Sequence, residues 1–168
     1  MTITTKKGDT GTTSLGDGTR VEKDNLRIEL NGRLDELSAY LGLCKAACCQ
    51  AEPYTTLQRQ LMGLMALVAK PTASLPATAE QQVKTAVAHM EQEMERRMGD
   101  APRFNFVLPG RDLADAALHL ARAKARACER RMVTLAKVEA VPPLLLTYPN
   151  RLSDYLFALA VGRHCPFL

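Results

Sequence analysis

The sequence predicts an all-α protein, a bundle of five helices, and three observations point that way. Apolar residues recur at three- and four-residue steps through five separate segments, the period of a helix with one buried face. Trp is absent and aromatics are only 5% of the residues, so the core is built from Leu, Ala, Val and Met. Those residues suit helix packing better than a sheet sandwich. No strand-rich segment, internal repeat or low-complexity run interrupts the pattern. A chain of 168 residues fits one domain over 1–168 with one core. It divides into a polar opening over 1–23 and a helical bundle over 24–168.

The first helix is expected from Asp24, a plausible N-cap, to Gln50. Leu26, Leu30, Leu34, Leu37, Leu41 and Cys44 form its stripe. Gly32 and Gly42 weaken that helix slightly or mark close helix contacts. The second runs from Thr55 to Ala69 through Leu57, Leu61, Leu64 and Val68, and KPTASLPAT then reads as a connection. The third runs from Thr78 to Met98 on Val83, Val87, Met90 and Met94. GDAPRFNFVLPGR breaks the pattern with two prolines and two glycines. The fourth runs from Asp112 to Lys137. VEAVPPLLLTYP reads as a second connection, and the last helix as Asn150 to Val161.

Several function classes are excluded or weakened. No apolar run approaches the roughly 20 residues that span a bilayer. The N-terminus lacks a signal-peptide pattern, so a cytoplasmic protein is expected. Five cysteines, an odd count without CxxC, argue against a disulfide framework. Cys44 and Cys48 share a helix face as small core residues. His89, His119 and His164 show no metal-ligand spacing, and no Ser–His or Cys–His pairing can be drawn. The net charge of +4 is local: residues 111–138 hold seven basic and three acidic residues, while the signs balance elsewhere. A nucleic-acid binder would spread its basic surface and add aromatics. A local surplus suggests a small polyanion.

Two segments carry candidate chemistry. TTKKGDTGTTSLGDG sets glycines among hydroxyls. Glycine lets backbone N–H groups turn toward an anion, Thr12, Thr13 and Ser14 can donate, and Lys6, Lys7 and Lys23 add charge. The P-loop pattern is not met, because Gly16 is followed by Asp17. The segment is either a flexible tail or a backbone folded around something charged. In the fourth helix, LHLARAKARACERRM places Arg122, Arg126 and Arg130 four residues apart on one face. Like charges at that spacing repel unless an anion sits on them. The alternative is a solvated helix whose charges follow its dipole. Asp35 lies beside the apolar stripe of the first helix. It is either a surface carboxylate or a partly buried one that pairs with Arg122 or Arg126. Arg151 and Asp154 can pair on the surface. Phe106 is a packing residue by default, though an aromatic beside a Gly-Pro turn can wall a pocket.

Together these pieces resemble the PduO-type ATP:cob(I)alamin adenosyltransferases. The match spans nearly the whole chain: TKKGDTGTTSL, RVEKD, GRLDELSAYLG, FVLPG, HLARAKARACERR and NRLSDYLF, in the family's order. The resemblance implies a cobalamin-adenosyltransferase-like five-helix bundle that assembles as a homotrimer with active sites between subunits. It implies transfer of the 5′-deoxyadenosyl group of ATP to the cobalt of cob(I)alamin, with adenosylcobalamin and triphosphate as products. Mg²⁺ is expected on the ATP phosphates rather than in a protein metal site, and a reductase is expected to supply electrons. Neither nucleic acid nor membrane is an expected partner. By the same resemblance, Thr5, Lys6, Lys7, Gly8, Thr13, Ser14 and Lys23 hold ATP, as do Arg126, Glu129, Arg130 and Asn150. Asp35 and Arg122 form a pair that bridges subunits. Phe106 stands where the lower axial ligand of the corrinoid would be.

Three positions depart from the family pattern: Ala127 where a second arginine is usual, Arg111 in LPGR, and Pro149 in YPNRLSD. They leave room for a different reading, a bundle that binds or senses corrinoid or nucleotide without catalysis.

Overall fold

The computed structural model describes residue 6 and residues 8–99 and 107–162. Five helices dominate: α1 Leu26–Ala47, α2 Tyr54–Val68, α3 Ala77–Met98, α4 Leu113–Ala136 and α5 Pro143–Val161. They neighbour one another in the order α2, α1, α4, α5, α3. Buried Leu30, Leu34, Leu37, Leu41 and Cys44 form the core face of α1, as the periodicity predicts. Each leucine buried this way contributes about 2 kcal/mol of apolar transfer.

Polar contacts fix the packing around that core. α1 runs antiparallel to α4: Arg131 meets Glu29 at 2.7 Å, the Cys128 thiol donates to the Arg33 carbonyl, and Lys124 meets Glu36 at 2.6 Å. α2 is tied to α1 by the Gln58 side chain donating to Ser38 O at 3.0 Å. Gly42 is a close approach there, since a Cβ would lie 3.4 Å from Gln58 Nε2. Gly32 faces open space and has no such reason.

Three expectations are corrected. The N-cap of α1 is Asn25, whose side chain accepts from Arg27 N, rather than Asp24. α5 begins at Pro143 instead of Asn150, so PLLLTYP is helical and not a connection. Pro142 is its N-cap and Pro143 its first residue, where a missing N–H costs nothing. Pro149 lies inside the helix, where it cannot donate to the carbonyl four residues back.

The polar opening holds a small antiparallel hairpin, β1 Thr12–Ser14 and β2 Arg20–Glu22, with Thr13 opposite Val21. Periodicity cannot find strands of three residues. Gly11 and Gly18 take φ of 85° and 91°, the left-handed region that glycine tolerates. Buried Leu15 and a hydrogen bond from Gly16 N to Ala69 O at 2.8 Å dock the hairpin at the end of α2.

The cysteines are core residues in part. Cys44 and Cys128 are fully buried, and burial pushes both thiols up to about 12. Cys48 is half-buried beside the Tyr54 hydroxyl, and Cys49 is exposed. Since the thiolate is the nucleophile, alkylation of the native protein at pH 8 should label Cys49 and spare Cys44 and Cys128 until the chain unfolds. Peptide mass spectrometry reads this directly, and early label on Cys128 would contradict the packing.

Candidate active site

The chemistry-bearing residues fall in two places. The first is a cleft of about 520 Å³ between α3, α4 and α5. Arg122 and Arg126 line it from α4, Met94, Met98 and Glu91 from α3, and Asp154 and Phe157 from α5. Two cations thus face a wall that is partly apolar and partly acidic. The helical spacing of four puts both guanidiniums on one face, as expected.

Part of the basic surplus on α4 is already paired within the chain. Lys124 is held by Glu36, and Arg131 by Glu29. Arg122 Nε donates to His119 Nδ1 at 3.3 Å. The side chains of Arg126 and Arg130 are exposed and make no hydrogen bond or ion pair with other described residues. They are the cations of this helix left for an external anion.

Beside the arginines, a polar chain crosses three helices. Asn150 Nδ2 donates to Glu129 Oε1 at 2.8 Å, and its Oδ1 accepts from Arg151 Nη1 at 2.8 Å. Arg151 Nε meets Glu91 at 2.6 Å. Arginine only donates, so its contact fixes which way the Asn150 amide points. Arg151 therefore pairs with Glu91 and not with Asp154.

The second place is the hairpin. The Lys23 ammonium lies against Gly8, where a Cβ would come within 3.2 Å of it, and Lys23 N donates to Gly11 O. Thr13 is half-buried in β1 and Ser14 is exposed at its end; Lys6 is exposed. Arg20 donates to Thr12 Oγ1. Gly8, Thr13, Ser14 and Lys23 thus share one turn-and-hairpin unit. Among the described residues, no hydrogen bond or ion pair joins this unit to Arg122, Arg126 or Arg130.

Asp35 is exposed and makes no ion pair with Arg122 or Arg126 among the described residues. Of the two alternatives the sequence left open, the surface carboxylate is the one observed. The reason is geometric: Asp35 directly follows buried Leu34 and is turned about 100° away from it, onto the solvent side. Thr5, Lys7 and Phe106 lie outside the described residues.

Sequence reasoning missed the residues that support the cleft. His119 and Asp115 are both buried on α4, and Phe157 sits edge-on to His119 with ring centroids 6.2 Å apart. The spacing Asp115, His119, Arg122 places all three on one helix face, and that was the available signal.

A five-helix bundle whose cleft sets two arginines against an apolar and acidic wall belongs to a class of helical protein that can hold a charged small molecule. Residues 3–162 match the family model described as Cobalamin adenosyltransferase, and the chain belongs to that family. It is 41% identical over 165 residues to the corrinoid adenosyltransferase PduO of Salmonella typhimurium, covering 95% of this chain and 49% of that one. It is 36% identical to a corrinoid adenosyltransferase of Citrobacter freundii, covering 94% and 92%. The chain spans about half the length of the PduO proteins it matches and nearly all of the Citrobacter protein. A variant PduO-type ATP:corrinoid adenosyltransferase from Lactobacillus reuteri, complexed with cobalamin and ATP, superposes with a TM-score of 0.85 at 26% identity, covering 96% of this chain and 93% of that one. Among the described residues, no helix is long and apolar enough to cross a membrane.

Proposed function

We propose that this chain is an ATP:corrinoid adenosyltransferase that moves the 5′-deoxyadenosyl group of ATP onto the cobalt of cob(I)alamin. The observation that carries the reading is the pair of exposed arginines, Arg126 and Arg130, whose side chains have no partner among the described residues, beside the Glu129–Asn150 pair. Family membership supplies the reaction. In it the Co–C5′ bond forms with the electron pair of Co(I). The C5′–O bond breaks, and triphosphate leaves with that bond's electrons.

The chain's own work is positioning and charge neutralisation. Arg126 and Arg130 bind phosphate oxygens that gain charge as triphosphate departs. The oriented Asn150 amide and Glu129 carboxylate offer one donor and one acceptor to the nucleoside. Gly8, Thr13, Ser14 and Lys23, with Thr5, Lys6 and Lys7, wrap the phosphates from the hairpin side. Phe106 takes the lower axial position of the corrinoid. No residue needs to act as nucleophile or general base.

Among the described residues, no group of three or more His, Cys, Asp or Glu side chains is placed to hold a metal. Mg²⁺ suits this chain as an ion carried on the ATP phosphates with its own waters, which is its usual mode. It would neutralise phosphate charge there. Among the described residues, no hydrogen bond or ion pair joins the hairpin unit to the α4 arginines, and a homotrimer whose neighbouring copies complete each site accounts for that. Asp35, exposed on α1, is then free to meet Arg122 of a neighbouring copy. A reductase partner and a cytoplasmic location complete this reading.

Anaerobic mixing of the chain with Mg-ATP and chemically reduced cob(I)alamin tests it. The visible spectrum should convert to that of adenosylcobalamin at a rate proportional to protein. A folded chain that binds cobalamin without conversion would instead identify a carrier or sensor. Ligand contact also predicts local protection: Mg-ATP should slow proteolysis within the first 20 residues at least several-fold. Equal cleavage with and without nucleotide would remove the hairpin from the site.

A further inference from the structure

Asp115 and His119 are the buried polar side chains of α4, at 1% and 5% exposure, and no step of the proposed reaction uses them. They lie in a line that begins outside the cleft and ends in it. Asp115 Oδ2 accepts from Gly110 N at 2.7 Å and from Arg111 N at 3.2 Å, so it holds the LPGR turn. Burial pushes its carboxyl up, but the two backbone donors together with the nearby His119 and Arg111 hold it below its ordinary value. One turn on, His119 Nε2 lies 3.8 Å from Asp115 Oδ1, near enough for electrostatic attraction but too far for a hydrogen bond. His119 Nδ1 faces Arg122 Nε at 3.3 Å. A guanidinium cannot accept, so Nδ1 is the acceptor and the ring carries its proton on Nε2, toward the carboxylate. Phe157 packs edge-on against the ring at 68° and closes it in from α5.

Arg122 has several rotatable bonds, and it lines the cleft half-buried. A buried acceptor at Nε fixes the plane of the guanidinium and leaves its Nη atoms directed away from His119. We propose that His119 is a positioning residue that sets the Arg122 guanidinium in the cleft, and that Asp115 anchors this setting to the backbone of the LPGR turn. The kinetic part rests on the adenosyltransferase reading, whereas the placement itself does not.

The test separates a positioning role from a packing one. In His119→Asn the side-chain oxygen reaches the place of Nδ1, whereas in His119→Gln it reaches toward the place of Nε2. The Asn variant should keep kcat within about twofold of wild type, and the Gln variant should lose about tenfold in kcat with little change in KM for ATP, as expected for a misplaced group. In an Arg122→Ala background, His119→Gln and Asp115→Asn should cost nothing further, because each acts through Arg122. Independently of turnover, the Arg122 Nε–H cross-peak in a ¹H–¹⁵N spectrum should exchange slowly in wild type and His119→Asn, and rapidly in His119→Gln. An Asn variant as slow as the Gln variant, equal losses with and without Arg122, or a fast-exchanging wild-type Nε–H would each overturn the proposal. A wild-type chain without turnover would overturn the proposed activity, while the cross-peak would still report whether His119 holds Arg122.

Discussion

Replacing Arg126 with alanine is expected to lower kcat/KM for ATP by about 100-fold or more, the usual loss when one preorganised cation or donor is removed from a developing charge. The melting temperature should stay within about 2 °C of wild type. Both expectations come from the same facts. Arg126 is exposed, lines the cleft, and has no partner among the described residues that its loss would strand. It also stands four residues from Arg122 and from Arg130, so its removal relieves two like-charge repulsions of roughly 0.2–0.5 kcal/mol each. Arg131→Ala is the contrast. Arg131 is bound to Glu29 across to α1, so its loss should cost stability and spare ATP use. Arg126→Lys should recover only part of the activity, since a point charge cannot grip phosphate in the two-pronged way a guanidinium does. Parallel measurements of turnover and thermal melting on the three variants decide the matter. Wild-type turnover in Arg126→Ala would remove it from the site.

What was legible in the sequence followed the length of each signal. α1, α3 and α4 each run for about six turns, and their ends fell within three residues of the expected ones. The start of α5 was hidden because its first seven residues contain two prolines, and proline is read as a breaker. In the fold Pro143 occupies the first turn, where it is tolerated, and Pro149 is carried by the packing around it: buried Leu145, Tyr148 and Leu152 hold the helix together across the missing hydrogen bond. The hairpin was hidden for the opposite reason, since three residues per strand contain no measurable alternation. For the site, residue spacing could place Arg122 and Arg126 on one face, but it could not say which of the α4 cations are paired. Pairing depends on Glu29 and Glu36, which are roughly a hundred positions away and arrive only when α1 packs antiparallel to α4. Asp35 differs: one step of about 100° past Leu34 already turns it toward solvent, so the exposed alternative was legible from spacing.

Arg27→Ala is the substitution expected to cost the most stability among the polar residues, about 2–4 kcal/mol. Arg27 is 4% exposed at the start of α1. Its Nε meets Glu139 at 2.7 Å, and its Nη1 donates to Val68 O at 2.9 Å. Val68 is the last residue of α2, whose final carbonyls have no partner in their own helix. One guanidinium therefore ties together the start of α1, the end of α2 and the segment after α4. Alanine leaves the buried carbonyl unpaired and opens a cavity, whereas Glu139 is about one-third exposed and can return to water. Glu139→Gln should accordingly cost much less than Arg27→Ala, and Arg27→Met, which fills the space, should fall between them. At fixed protein concentration the alanine variant should melt about 5–10 °C below wild type. The effect should also reach the nucleotide segment. Ala69, next to Val68, accepts the hydrogen bond from Gly16 that docks the hairpin. If the hairpin wraps the phosphates, Arg27→Ala should raise KM for ATP several-fold at temperatures where the bundle is still folded, with kcat less affected. Calorimetry and ATP titrations on the three variants give both readouts. A stability loss with unchanged KM would confine Arg27 to the bundle and separate the hairpin's docking from its use.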